Sequence, residues 1–267
     1  MKLIFSEDKS DYSNYIFPYA IWAIPEADET PAMIFARGFL PSSRELDRFY
    51  LCRHIRINLI KFSRSSENRR IIRKCNGINY KLIPRAQFHY TDEWQNFCKN
   101  YADIKFGKDV MTFQRLDSLF NSKIISHLLL FIDSETNKEV GVATLYLEAK
   151  KLAYYYYAFY DLNYYNRNLG MFMMTSAVDY FAQINFDYLY LGTCYSRNAL
   201  YKTQFSGFEF FNGFCWSKNL TELKYIIKRD KSPGNLHLVE TPEYLEKFYE
   251  GELEQIVQKN NFSVKLK

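Results

Sequence analysis

The 267-residue sequence predicts an α+β fold, a mixed sheet with flanking helices, preceded by a smaller N-terminal α+β region. Three observations predict it. From about residue 91 the hydrophobic pattern runs helix, strand, strand, strand, helix, strand, helix, strand. One of those helices is apolar nearly all round, as a helix buried against a sheet must be. Aromatic residues reach 18%, with 23 Tyr and 23 Phe, a content that disordered chains lack. The expected boundary separates a basic N-terminal region, 1–90, from a second domain, 91–267, that closes with a terminal helix.

In the first region, HIRINLIKF alternates Ile55, Ile57 and Leu59 with Arg56 and Asn58. That period of two predicts a half-buried strand with basic residues outward. SENRRIIRK follows as a short helix, with Ser65 or Ser66 as cap, Glu67 in the first turn, and Arg73 and Lys74 at its end. In the second region, Thr91 caps a helix on which Trp94, Phe97, Cys98, Tyr101 and Ile104 recur at helical spacing. Three strands follow, SHLLLFID, EVGVATLYLE and LAYYYYAFYD, the first two joined by the hairpin connection SETNK. NLGMFMMTSAVDYFAQI is the buried helix, FDYLYLG a strand, YSRNALYKTQF a short helix and GFEFFNGFCW a last strand. A terminal helix starts after Thr241 with Pro242 at its first position, where the missing N–H costs nothing.

Charge is unevenly spread. Residues 44–74 hold ten Arg or Lys against three acids, a net +7 within a chain of net +5. Such a block reads either as a phosphate-binding face or as a solvated basic surface. The five cysteines are scattered, odd in number and without a C-x-x-C pair, which disfavours a disulfide framework or a zinc site and fits reduced thiols in a cytoplasm. The start MKLIFSEDKS does not read as a signal peptide, and no apolar run approaches the ~20 residues of a membrane span. His54, His89, His127 and His237 are too dispersed for a triad or a metal site. Cys52 and His54 share a strand face, and a nucleophilic pair there depends on geometry.

The element order matches the acetyltransferase-like (GNAT) architecture, a mixed sheet split around a binding site. Within it, two stretches resemble the arginyl-tRNA–protein transferases and their bacterial leucyl-transferring relatives, across roughly residues 15–216. The first is RGFLPS with FYLCRHIRINLIKFSRSSENRRIIRK. The second is YYYYAFYDLNYYNRNLGMFMM with YLYLGTCYSRNALYKTQFSGFEFFNGFCW. The resemblance implies transfer of an amino acid, arginine or leucine, from aminoacyl-tRNA to the N-terminal amine of a protein that begins with an acidic residue. It implies no acetyl-CoA and no cofactor beyond the charged tRNA. Two departures stand out. Only Cys52 lies where the family often carries a cysteine cluster, and the stretch between Gly192 and Tyr201 is shorter than the family pattern.

Asp161, Lys202 and Tyr201 are the catalytic candidates. Asp161 ends the tyrosine strand and reads as a group that orients the attacking amine or accepts its proton, or as a turn aspartate before Asn163. Lys202 reads as a ligand of the terminal phosphate or ester carbonyl, or as an exposed helical lysine, with Asn198 four residues before it and Arg197 alongside. Arg69, Arg70 and Arg73 suit phosphates or an acidic N-terminus. Arg167 and Gly170 open the buried helix, where backbone amides favour a phosphate, although Phe172 is bulkier than acyl-CoA enzymes need there. Strand alternation places Tyr155, Tyr157, Phe159 and Asp161 on one face, and that face is expected to line the cleft, with Tyr157 and Phe159 on substrate. The rival readings are an acyl-CoA N-acyltransferase and a non-catalytic module that binds tRNA or degrons.

Overall fold

The computed structural model describes residues 1–7, 19–231 and 238–259. His237 lies outside them. A small antiparallel sheet comes first, built from β1 (Lys2–Glu7), β2 (Tyr19–Ile24), β3 (Phe39–Pro41) and β4 (Phe49–Leu51), with α1 (Pro31–Ala36) between β2 and β3. Its order is β1-β2-β4-β3.

The main sheet has eight strands. Its elements, in chain order, are β5 (His54–Asn58), α2 (Ser66–Lys74), β6 (Ile78–Pro84), α3 (Asp92–Lys105), α4 (Phe113–Phe120), β7 (His127–Asp133), β8 (Lys138–Glu148), β9 (Leu152–Tyr160), α5 (Leu169–Gln183), β10 (Tyr188–Thr193), β11 (Phe208–Phe211) and β12 (Trp216–Ser217). Three more helices follow: α6 (Leu220–Arg229), α7 (Pro242–Tyr249) and α8 (Leu253–Lys259). The spatial order is β12-β11-β5-β10-β9-β8-β7-β6. Every neighbouring pair is antiparallel except β9 and β10, which run parallel because α5 carries the chain back between them. This is the mixed sheet with flanking helices that the element order predicts. Residues on both sides of position 90 build it, since β5 and β6 belong to it.

The sheet is buried on both faces. One face packs on α2, α5, α6 and α7, through Ile71, Phe172, Met173, Phe181, Ile226 and Tyr244. The other packs on α1, α3 and α4, through Phe35, Trp94, Cys98, Leu116 and Phe120. Ten of the fifteen residues of α5 are buried, so it has no solvent face of its own, and its one buried acid, Asp179, is neutralised by Arg64.

Local signals in the sequence hold where hydrogen-bond chemistry is local. Ser65 caps α2 in a reciprocal box with Asn68, and Thr91 caps α3 through the Trp94 amide. Pro242 sits in the first turn of α7, but the helix stops at Glu250, in a left-handed conformation, before α8 resumes. Three expectations are corrected. β5 is not half-buried: it lies between β10 and β11 and all five of its residues are buried, Arg56 included. The last strand is a hairpin of two, β11 and β12. Ile104 is 69% exposed on α3 rather than part of its packed face.

Candidate functional site

The site lies where β9 and β10 part. They pair only over Leu152–Tyr154 and Tyr188–Tyr190. Beyond that, β9 runs on through Tyr160 and β10 through Thr193 with no rung between them. Each strand carries an irregularity at the split. On β9, Tyr156 and Tyr157 together oppose the single residue Thr144 of β8, a β-bulge. The Thr144 hydroxyl clamps it, donating to the Tyr157 carbonyl at 3.2 Å and accepting from the Tyr157 amide at 2.9 Å. On β10, the register against β5 shifts between Tyr190 and Gly192, and Gly192 takes φ +79°, open to glycine without strain.

The bulge resets which tyrosines face which way. Tyr155, Ala158 and Tyr160 pack toward α5, whereas Tyr154, Tyr156, Tyr157 and Phe159 pack toward α3 and α4. Strict alternation placed Tyr155 with Tyr157 and Phe159, and one extra residue breaks that pattern. Phe159 is fully buried, in contact with the rings of Phe120 and Tyr101, so the expected substrate contact is replaced by a core role. Tyr157 lies on that same face, 6.1 Å from the Phe159 ring centroid and nearly parallel to it.

Four phenols meet at the split. The hydroxyl of Tyr155 is electrostatically coupled to those of Tyr201, Tyr101 and Tyr160. Tyr101, from α3, hydrogen-bonds the Tyr160 hydroxyl, and its ring centroid is 4.8 Å from that of Tyr160. Tyr201 comes from the 3-10 segment Arg197–Gln204 and is 47% exposed, at the mouth. Burial raises the pKa of Tyr155, Tyr101 and Tyr201, so all three remain neutral donors at physiological pH. Tyr155 is 5% exposed, yet its hydroxyl meets no hydrogen-bond partner among the described residues. A buried hydroxyl left unpaired costs about 1–3 kcal/mol, and such a cost persists where something outside the fold selects for it.

Lys202 sits on the β10 side of the mouth. Its ammonium donates to the Thr193 carbonyl at 2.9 Å. Burial depresses its pKa below the ordinary lysine value, with Cys194 pulling the other way. The helix expected around it is 3-10 throughout. With three residues per turn, Asn198 aligns with Tyr201 rather than Lys202, so the expected i,i+4 face does not form. Asn198 and Arg197 are exposed.

Asp161 is a turn carboxylate. Its Oδ1 accepts from the backbone amide and the side-chain amide of Asn163, at 3.0 and 2.9 Å, and its Oδ2 accepts from Lys138 at 2.7 Å. Burial pushes this carboxyl up, but Lys138 and Asn163 together outweigh burial and hold it below the usual range. Both oxygens are therefore engaged in the turn. Arg167 is likewise engaged: its guanidinium donates to the carbonyls of Lys74 and Asn76 and closes the C-terminal end of α2. A Cβ on Gly170 would lie 2.6 Å from the Tyr160 ring, so that ring covers the start of α5 where a phosphate was expected. Phe172 is buried against Phe131.

Four of the ten cations in the basic block of 44–74 are ion-paired within the protein. Arg53 is bound to Asp230, Arg56 to Glu209, Arg64 to Asp179 and Arg70 to Glu67. Arg56 is also sandwiched between the rings of Tyr188 and Trp216, at 4.1 and 3.7 Å. Arg69 donates to the Arg64 carbonyl, and Arg73 is exposed. The Cys52 thiol and His54 Nδ1 are 3.6 Å apart, as their shared face predicts. Burial, however, pushes the thiol up to about 12 and the imidazole down to about 3, so neither ionises near neutrality. His54 Nδ1 bonds the Cys52 carbonyl at 2.8 Å, which makes the pair structural. Among the described residues, no group of three or more His, Cys, Asp or Glu side chains converges on a metal position, and no helix is long and apolar enough to cross a membrane.

No protein-family model matches the chain, and neither does any curated protein. Solved structures do match at low identity. A C-terminal domain of the DUF2156 type from Agrobacterium fabrum is 14% identical, with a TM-score of 0.42 over 54% of this chain and 46% of its own. L-PGS from Bacillus licheniformis is 11% identical, with a TM-score of 0.41 over 68% and 66%. A GCN5-related N-acetyltransferase from Sphaerobacter thermophilus is 14% identical, with a TM-score of 0.34 over 65% and 50%. The chain thus spans about half the length of the first and third of these. At such scores the likeness assigns no activity, and the site stands on its own residues.

Proposed function

We propose that this protein is an aminoacyl-tRNA–dependent transferase that moves an amino acid, arginine or leucine, onto the N-terminal amine of an acceptor protein or peptide with an acidic first residue. The observation that carries the proposal is the Tyr155 hydroxyl, buried without a partner in the split between β9 and β10 and surrounded by Tyr101, Tyr160 and Tyr201, with the Lys202 ammonium 5.9 Å from the Tyr201 ring centroid. The family resemblance of the tyrosine-rich strand and of the Tyr201–Lys202 pair supports the same reading.

The chemistry asked of the site is modest, because the ester of a charged tRNA is already activated. The neutral α-amine of the acceptor attacks the ester carbonyl carbon, a C–N bond forms, and negative charge develops on the carbonyl oxygen. Neutral phenols held in place are suited to that charge, since they need no reorganisation as it appears. Collapse breaks the C–O bond to the ribose, and the departing ribose oxygen takes up the proton that the amine loses. Lys202, whose pKa burial lowers, is the group at the mouth that can carry that proton. Asp161 orients the end of β9 through its turn and Lys138, a positioning role.

The covered start of α5 disfavours the acyl-CoA alternative, because Tyr160 stands where a pyrophosphate would bind. The test is incubation with a pool of charged, labelled tRNAs and peptides that differ in their first residue, with products identified by mass. Transfer onto acidic-start peptides is expected, and Lys202→Gln lowers kcat with little change in KM. Tight acetyl-CoA binding with acetylated product would replace this reading. Binding of charged tRNA without any transfer would leave a binding module.

A further inference from the structure

Unpaired positive charge also gathers outside the basic block. The last turns of α6, the outer face of α7 and the 3-10 segment after β10 enclose a groove of about 700 Å³. Arg197, Lys224, Lys228, Arg229 and Lys247 line it, opposed by one acid, Glu243, which already bonds the Tyr225 hydroxyl. Among the described residues, Arg197, Lys224, Lys228 and Lys247 form no ion pair, and Lys247 lies over the Tyr225 and Phe248 rings. Lys224 and Lys228 stand at i,i+4 on one helix face, a like-charge spacing that weakens a helix by a few tenths of a kcal/mol. Four like charges kept in one concavity call for a polyanion.

We infer that this groove binds the phosphodiester backbone of an RNA strand, and on the reading above it guides the 3′ end of the aminoacyl-tRNA to the split between β9 and β10. The connection is covalent. Arg197 lies in the groove and Lys202 at the mouth, on one 3-10 segment. At about 2 Å per residue that path is about 10 Å, the reach of roughly three nucleotides at ~3.4 Å each. A recessed groove suits a strand better than a flat bilayer surface.

The test is fluorescence anisotropy with deacylated tRNA over a salt series, which requires no catalysis. Lys224→Ala/Lys228→Ala is expected to flatten the slope of log K against log salt by about 1.4–1.8, from ~0.7–0.9 per phosphate contact. Lys224→Arg/Lys228→Arg keeps the parent slope, and Arg69→Ala/Arg73→Ala changes it by less. The inference is overturned if the alanine pair binds like the parent, if the α2 pair carries the slope, or if the lysines bind phosphatidylglycerol vesicles and not RNA. Transfer with an unaltered slope sinks the groove and leaves the activity. An altered slope without transfer sinks the activity and leaves the groove.

Discussion

Tyr155→Phe separates fold from function at one atom. The hydroxyl it removes is buried and unpaired among the described residues. The phenyl ring keeps the same shape, so no cavity opens. Removing an unsatisfied buried hydroxyl recovers a desolvation cost of about 1–3 kcal/mol. For a domain of ~150–250 residues each kcal/mol moves Tm by about 2–4 °C, so the variant should melt higher by at least ~2 °C. Transfer should fall together with that gain. Loss of one oxyanion donor costs about 10²–10³ in kcat where few donors exist, and with three other phenols at hand we expect at least about tenfold. Tyr160→Phe is the comparator. Its hydroxyl bonds Tyr101, so that variant should lose about 0.5–1.5 kcal/mol instead. Thermal unfolding and labelled-amino-acid transfer on the same preparations give both readouts. A Tyr155→Phe protein that is no more stable and fully active would refute the reasoning, because the hydroxyl would then be neither strained nor used.

Three further outcomes follow from the same geometry. Thr144→Val strands both backbone groups of Tyr157 and should cost about 2–4 kcal/mol in urea unfolding, with Thr144→Ser restoring most of it. Gly170→Ala drives a methyl into the Tyr160 ring and should cost about 1–3 kcal/mol and impair transfer. Adding Tyr160→Val should recover stability but not transfer. His54 binds a proton at about 3 when folded and at 6.5 when unfolded, so the unfolded chain takes up the proton first as pH falls. Its stabilising contribution is full above pH 6.5 and is lost on the way down to about 3. Between pH 6.5 and 4.5 this amounts to about 2–3 kcal/mol at ~1.36 kcal/mol per unit, a loss that His54→Asn should not show in urea titrations at the two pH values.

The legible part of the fold was the part set by neighbours in sequence. The caps at Ser65 and Thr91, the strand-strand-strand run from His127 to Tyr160 and the all-apolar α5 could be read directly. Short or amphipathic pieces, such as α4 and β6, carried too weak a period to be noticed. At the candidate site, Tyr201 and Lys202 were singled out through the family-like Tyr-Lys pair; the structure places Tyr201 beside Tyr155 and the Lys202 ammonium on the Thr193 carbonyl. Tyr101 and Tyr160 were missed, because a tyrosine at helical or strand spacing looks like core until its hydroxyl is located. Phe159 and Asp161 were assigned to the cleft by an alternation that the bulge interrupts.

By itself, the sequence determined the α+β class, the order of elements in the second half of the chain and the surplus of tyrosine. These follow from hydrophobic period and side-chain chemistry, which are properties of the chain alone. Only the tertiary structure decided what the charges and phenols do. Arg53 and Arg56 could not be told from surface cations until β5 was placed in the middle of the sheet, beside Asp230 and Glu209. The direction of Tyr155 depends on one extra residue in β9, held by a hydroxyl on the neighbouring strand. Pairing across strands and charges far apart in sequence is a long-range event, and no local pattern encodes it.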